Sequence, residues 1–150
     1  MRPTRIKNFM DQAEAVAQRS HDAETKVGSV LVRASNHSLV STGFNGFIPG
    51  APDDLLPNTR PEKYEYIIHS EVNLVSNCAK NGISTEGCYV VCTMSPCKSC
   101  VRMLVSSGIR KVICRELYKD ISDCLEMKDV KVEVDTDSEG FFHITYSTVN

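Results

Sequence analysis

The 150-residue sequence has no tryptophan, no excess of basic charge and no long apolar run. Each shortage excludes something. Apolar stretches such as Val90-Val91 fall far short of the roughly 20 residues that a membrane-spanning helix needs, so no membrane role is expected. The opening Met1-Arg2-Pro3-Thr4 has no apolar segment of the secretory kind, and a cytoplasmic location is expected. Seventeen basic residues against nineteen acidic ones give a net charge of −2, which argues against nucleic acid as a partner. A composition 41% hydrophobic and 24% charged excludes collagen, coiled coil and wholesale disorder. The length suits one domain over residues 1–150.

What the sequence does have is cysteine, seven of them. An odd count without an export signal argues against a disulfide framework. The default reading of each is a small buried hydrophobe, and this suits Cys78, Cys88, Cys92, Cys114 and Cys124, which sit in or beside apolar runs. Cys97 and Cys100 differ, because Pro96-Cys97-Lys98-Ser99-Cys100 reads as a turn opening a helix.

Thr4 to Ser20 reads as an amphipathic helix, with Ile6, Phe9, Met10, Ala13, Val16 and Ala17 at three- and four-residue steps. Val27 to Arg33 and Leu39 to Phe44 are β-rich runs forming a hairpin. A Gly- and Pro-rich stretch follows from Gly43 to Pro61, long enough to expect a functional loop. A helix is expected near His69 to Asn81, then a strand over Gly87 to Thr93. A second helix over Pro96 to Ser107 is stopped by Gly108. Ile109 to Cys114 (strand), Tyr118 to Lys128 (helix), Val130 to Val134 and Phe141 to Thr148 (strands) complete the order. This is an α/β pattern: an opening hairpin, then crossover helices on a mixed sheet.

Two motifs open two consecutive crossover helices. Cys97 and Cys100, three apart in a first helical turn with Pro96 at the first position and Ser95 as cap, can chelate one metal. His69 and Glu71, two apart, converge on one site only where the chain is still entering its helix. His69, Cys97 and Cys100 would leave the fourth position of a tetrahedral zinc open to water, with Glu71 beside it as proton shuttle. Helix N-termini behind the cysteines would stabilise their thiolates. The competing arrangement is a closed structural site. Cys88 and Cys92 cannot both join one ion, because four strand residues span roughly 13 Å. Cys92 alone could close a His-Cys₃ site, and its position decides between the two.

His-x-Glu followed by Pro-Cys-x-x-Cys resembles the zinc deaminase signature, and the likeness runs from about Phe9 to Val134. Within that superfamily the sequence is most similar to deoxycytidylate (dCMP) deaminases. The segments that carry this are Lys26-Val27-Gly28-Ser29-Val30-Leu31-Val32, Gly43-Phe44-Asn45-Gly46-Phe47-Ile48-Pro49-Gly50, Asp53-Asp54-Leu55-Leu56-Pro57 and Ser95 to Cys100. Nucleoside cytidine deaminases usually carry Cys-x-Glu, and tRNA adenosine deaminases act on a polyanion that this acidic chain suits poorly.

The resemblance implies a three-layer α/β/α cytidine-deaminase-like fold with a central mixed five-stranded sheet. It implies hydrolysis of dCMP to dUMP with release of ammonia, Glu71 carrying the water proton to N3 and then to the leaving amine. It places Asn45 on the sugar, Val27 against the base and the backbone of Ser95 at the exocyclic amine; Tyr118, just after the strand ending at Cys114, is expected at the pocket rim. One zinc per chain is expected. The resemblance also implies a homohexamer activated by dCTP and inhibited by dTTP. The effector site would involve Gly46, Phe47, Gly50, Asp53 and Asp54, with Mg²⁺ bridging the triphosphate. Lys26, Lys98, Arg102 and Lys119 are candidates for the 5′-phosphate. A related nucleobase deaminase, or a non-catalytic zinc-stabilised nucleotide-binding module, are the alternatives.

Overall fold

Thr4 opens the first helix, its Oγ1 accepting from the backbone N–H of Lys7 at 3.1 Å. Helix α1 (Arg5–Ala17) then buries Phe9, Met10, Ala13 and Ala17, the stripe its spacing predicts. The computed structural model describes residues 1–119 and 121–149. The remaining elements are β1 (Gly28–Arg33), β2 (Leu39–Phe44), α2 (Ser70–Lys80), β3 (Cys88–Met94), α3 (Lys98–Ser106), β4 (Lys111–Glu116), α4 (Ile121–Leu125), β5 (Val130–Thr136) and β6 (Phe142–Thr148). A short 3₁₀ turn, Glu62–Glu65, precedes α2. Of the helix expected over Tyr118 to Lys128, Ile121–Leu125 is helical and position 120 lies outside the described residues.

The strands form one mixed sheet in the order β2-β1-β3-β4-β6-β5, parallel at β3–β4 and antiparallel elsewhere. This corrects the five-stranded sheet that the resemblance implies: all six strand runs read from the sequence join one sheet. The reason is the last hairpin: β6 turns back and inserts between β4 and β5, pairing Val112 with Ile144. The new edge strand β5 exposes Lys131, Glu133 and Asp135 on alternate positions, charges that discourage edge-to-edge pairing.

Alternation along the strands sorts the core into two layers. Val30, Val32, Val91 and Ile113 pack with α1, whereas Leu31, Val90, Cys92 and Cys114 face α2 and α3. The result is helix, sheet, helices. Cys78, Cys88, Cys92 and Cys114 are core residues, as their setting in apolar runs predicts.

Two glycines let the helices sit this close. A Cβ at Gly28 would lie 2.0 Å from the Ala13 carbonyl oxygen, and one at Gly43 would lie 2.5 Å from that of Ser70. Gly43→Ala should therefore destabilise the fold by about 2–3 kcal/mol through overpacking. Gly46→Ala, whose Cβ would meet only the Phe44 ring at 3.4 Å, should cost less than about 1 kcal/mol. Urea unfolding of the two variants measures the difference.

Candidate active site

Helices α2 and α3 both start with a residue that does not cap its own helix. His69 is the N-cap of α2 and Cys97 that of α3, both with extended backbone and no side-chain capping bond. The extended backbone at His69 is what lets His69 and Glu71 point the same way. Helix α3 begins two residues later than its sequence suggests, so Pro96 is not its first residue and Ser95 is not its cap. Ser95 Oγ instead accepts from the Tyr118 backbone N–H at 2.6 Å, and the Ser95 N–H donates to the Glu116 carbonyl at 2.9 Å. Ser95 thereby ties the loop after β3 to the loop after β4.

His69 Nδ1 lies 3.5 Å from Cys97 Sγ and 3.4 Å from Cys100 Sγ, and the three donor atoms all fall within 4.8 Å of one another. A tetrahedral zinc with ordinary Zn–S and Zn–N lengths would hold nitrogen and sulfur about 3.5 Å apart, so the three side chains fit such an ion. Among the described residues the group contains no fourth donor. Cys92 is on the buried face of β3, with its Sγ 3.3 Å from Glu71 Oε1.

The group behaves as one proton-sharing unit. Hydrogen bonds from Cys100 and His69 hold the Cys97 thiol down to about 3, while Cys97 and burial push Cys100 up. His69 is raised, chiefly by its bond with Cys97. Such a pre-assembled, partly ionised donor set suits a cation, which would displace the shared protons. Glu71 is 4% exposed, and burial pushes its carboxyl above the usual carboxylate range. A carboxyl raised in this way holds a proton more readily, which suits it to carry one between reacting groups. His69, Glu71 and Cys97 open onto a cleft of about 440 Å³, into which Val27, Asn45, Ser95 and Tyr118 also project.

The sequence matches the model of the cytidine and deoxycytidylate deaminase zinc-binding region over residues 3–116. The chain belongs to this deaminase family. Mouse deoxycytidylate deaminase is 37% identical over 111 residues, which are 70% of this chain and 61% of that protein. The chain thus spans about 61% of the length of the mouse and human enzymes it matches. An uncharacterized deaminase in the luxG 3′ region of Aliivibrio fischeri is 33% identical over 140 residues, covering 93% of this chain and 91% of the other. The dCMP deaminase of cyanophage S-TIM5, solved in complex with dCMP and dUMP, superposes with a TM-score of 0.68. It is 31% identical and covers 84% of this chain and 93% of its own.

In this deaminase-family chain the amide of Asn45 is held by the protein itself. Its Oδ1 accepts from the Val27 N–H at 2.8 Å, and its Nδ2 donates to the Thr25 carbonyl at 2.8 Å and Asp22 Oδ2 at 3.3 Å. Gly46 exchanges backbone hydrogen bonds with Ile68, and Phe47 is buried. Gly50, Asp53 and Asp54 are exposed and do not line the cleft; Asp53 meets His21 Nε2 at 3.1 Å. Of the four phosphate candidates, Lys119 lines the cleft. Arg102 is paired with Asp129 at 2.7 Å, Lys26 donates to the Ser20 carbonyl, and Lys98 is exposed.

Sequence reasoning missed part of the cleft lining, namely Asp22, Arg60, Lys63 and Tyr64. Lys63, only 2% exposed, donates to both oxygens of Asp22 at 2.9 and 2.8 Å, and Arg60 spans Glu24 and the Tyr64 hydroxyl. Lys63 sits in Glu62-Lys63-Tyr64-Glu65, which reads as a solvated charged turn, and its partner is 41 residues away. No local signal marks it.

Burial would raise the Asp22 carboxyl, but Lys63 and the N–H groups of Thr25 and Glu24 outweigh it and hold Asp22 below its ordinary value. The stability this lends is therefore present above the unfolded carboxylate pKa of about 4 and is lost as pH falls through the lower folded value. Asp22→Asn should flatten that acid-side decline in the urea midpoint. Lys63→Met, which strands a buried carboxylate, should cost roughly 3 kcal/mol at neutral pH.

Proposed function

We propose that the chain is a zinc-dependent deaminase that hydrolyses dCMP to dUMP and ammonia. The observation that carries this reading is Glu71, a buried carboxyl that lines the same cleft as His69 and Cys97 of the three-donor group. A closed structural site would have no use for such a carboxyl. The phage relative solved with dCMP and dUMP, and the named dCMP deaminases among the relatives, support the choice of nucleotide.

His69, Cys97 and Cys100 would hold the ion, and zinc there would lend Lewis acidity to a water. The chain's own part is proton transfer. Glu71 takes a proton from the water as its oxygen bonds to C4 of the cytosine and delivers that proton to N3. It then takes the second proton, from the new C4 hydroxyl, and gives it to the amine as the C4–N4 bond breaks, so that the water oxygen stays on the product as the C4 carbonyl and ammonia leaves. Val27 and Asn45 would flank base and sugar, and the Ser95 backbone would accept from the exocyclic amine. Tyr118, Lys119, Arg60 and Tyr64, which line the same cleft, would be the groups nearest a 5′-phosphate.

The chain would act as one deaminase domain with one zinc. Regulation by dCTP and dTTP, a Mg²⁺ at Asp53 or Asp54 beside Gly46, Phe47 and Gly50, a hexameric assembly and a cytoplasmic setting belong to the same reading and rest on the family likeness. No helix among the described residues is long and apolar enough to cross a membrane.

Incubation with dCMP, deoxycytidine and dCTP, followed by ammonia release, tests the substrate: dCMP should be turned over, and turnover of deoxycytidine alone would overturn the nucleotide assignment. Glu71→Ala should keep fold and one zinc per chain, read by metal analysis, and lose about 10²–10⁴ in kcat. Zinc loss in that variant would mean that Glu71 is a ligand.

A further inference from the structure

Cys92 is a wholly buried residue of β3 with no part in the metal group, yet its Sγ lies 3.3 Å from Glu71 Oε1. Burial, reinforced by the Glu71 charge, pushes the thiol well up, so the sulfur keeps its proton and is the donor of the pair. Besides its own backbone N–H, the other group bonded to the Glu71 carboxylate is the Cys100 side chain. A cysteine that ligates a cation does so as thiolate and has no proton to give. With Cys100 so engaged, Cys92 is the side-chain donor left to Glu71 among the described residues. A thiol is a weak donor in water. In a dry site the comparison is with a buried carboxylate oxygen that has no partner, and that state is expensive.

We propose that Cys92 is a positioning residue for Glu71. Its S–H fixes Oε1 from below, so that the second carboxylate oxygen is presented to the water and to N3 of the base. The proposal rests on Glu71 as the proton carrier. It gives a polar task to a core cysteine that would otherwise be pure packing, on a strand where valine would serve packing as well.

The test combines kinetics with a readout that needs no turnover. Cys92→Val should lower kcat about tenfold, equivalent to roughly 1.4 kcal/mol, with KM changed by less than about twofold. Cys92→Ala should do the same without the bulk of valine, and Cys92→Ser, which restores a donor, should recover most of kcat. All three should retain the zinc content of the parent. In the infrared, the S–H stretching band that Cys92→Val removes should move to higher frequency in Glu71→Gln, because an amide oxygen is a weaker acceptor than a carboxylate.

An unmoved S–H band, or equal loss of kcat in the serine and valine variants, would overturn the proposal. So would unchanged kcat in both Cys92→Val and Cys92→Ala, or loss of zinc, which would make Cys92 a ligand. If Glu71→Gln keeps full turnover, the deaminase role of Glu71 fails instead, and the band shift still reports the contact.

Discussion

The close approach of α2 to β2 is the contact on which the rest of the site depends. At Gly43 the strand has no side chain, and the first turn of α2 rests on its backbone. The hydroxyls of Ser29 and Ser70, 2.6 Å apart, both reach the Gly43 carbonyl and lock the helix end to the neighbouring strand. His69 and Glu71 flank Ser70 on either side. Their positions relative to α3 are therefore set by small residues in the sheet, not by the metal donors themselves. The donor group is pre-assembled for this reason, and the extended backbone of two helix starts can be aimed at one point.

Charge is distributed around this centre in an ordered way. Glu71 is buried, where desolvation favours its protonated form, while the thiol pair sits at the start of α3, where the helix N-terminus favours negative charge. Two basic residues of the cleft lining are neutralised in place: Lys63 by Asp22, and Arg60 by Glu24. A small anionic ligand would meet dipoles and rim groups rather than a strong basic patch, consistent with a chain whose net charge is −2. The dry core of the sheet then does two jobs. It supplies stability through Leu31, Val90 and Leu104, and it sets the low-dielectric floor beneath Glu71.

Much of this was legible in the sequence. The helix of Phe9, Met10 and Ala13, the strand of Val90 and Val91, and the two motifs at His69 and Cys97 carry short-range signals: spacing, β-branching and ligand chemistry. What was hidden is what depends on distant partners. Lys63 looks solvated until Asp22 is brought beside it, and the insertion of β6 between β4 and β5 is a pairing choice that no local pattern of Phe142 to Thr148 records. The start of α3 was misplaced because proline and serine at Ser95-Pro96 resemble a capped first turn. The serine hydroxyl was committed to Tyr118 instead. Cys92 shows the reverse: its strand setting marks it for packing, and nothing local marks its contact with Glu71.

The three bonds that hold the Asn45 amide have a consequence for how this cleft chooses its ligand. A side chain tied to Val27, Thr25 and Asp22 has few rotamers left to lose when a ligand arrives. Association then spends little on ordering the pocket, and the ligand is accepted or refused by a rigid outline. On the Asn45 side the pocket is a template and not a glove: a ligand that fits there need not first set the side chain in order.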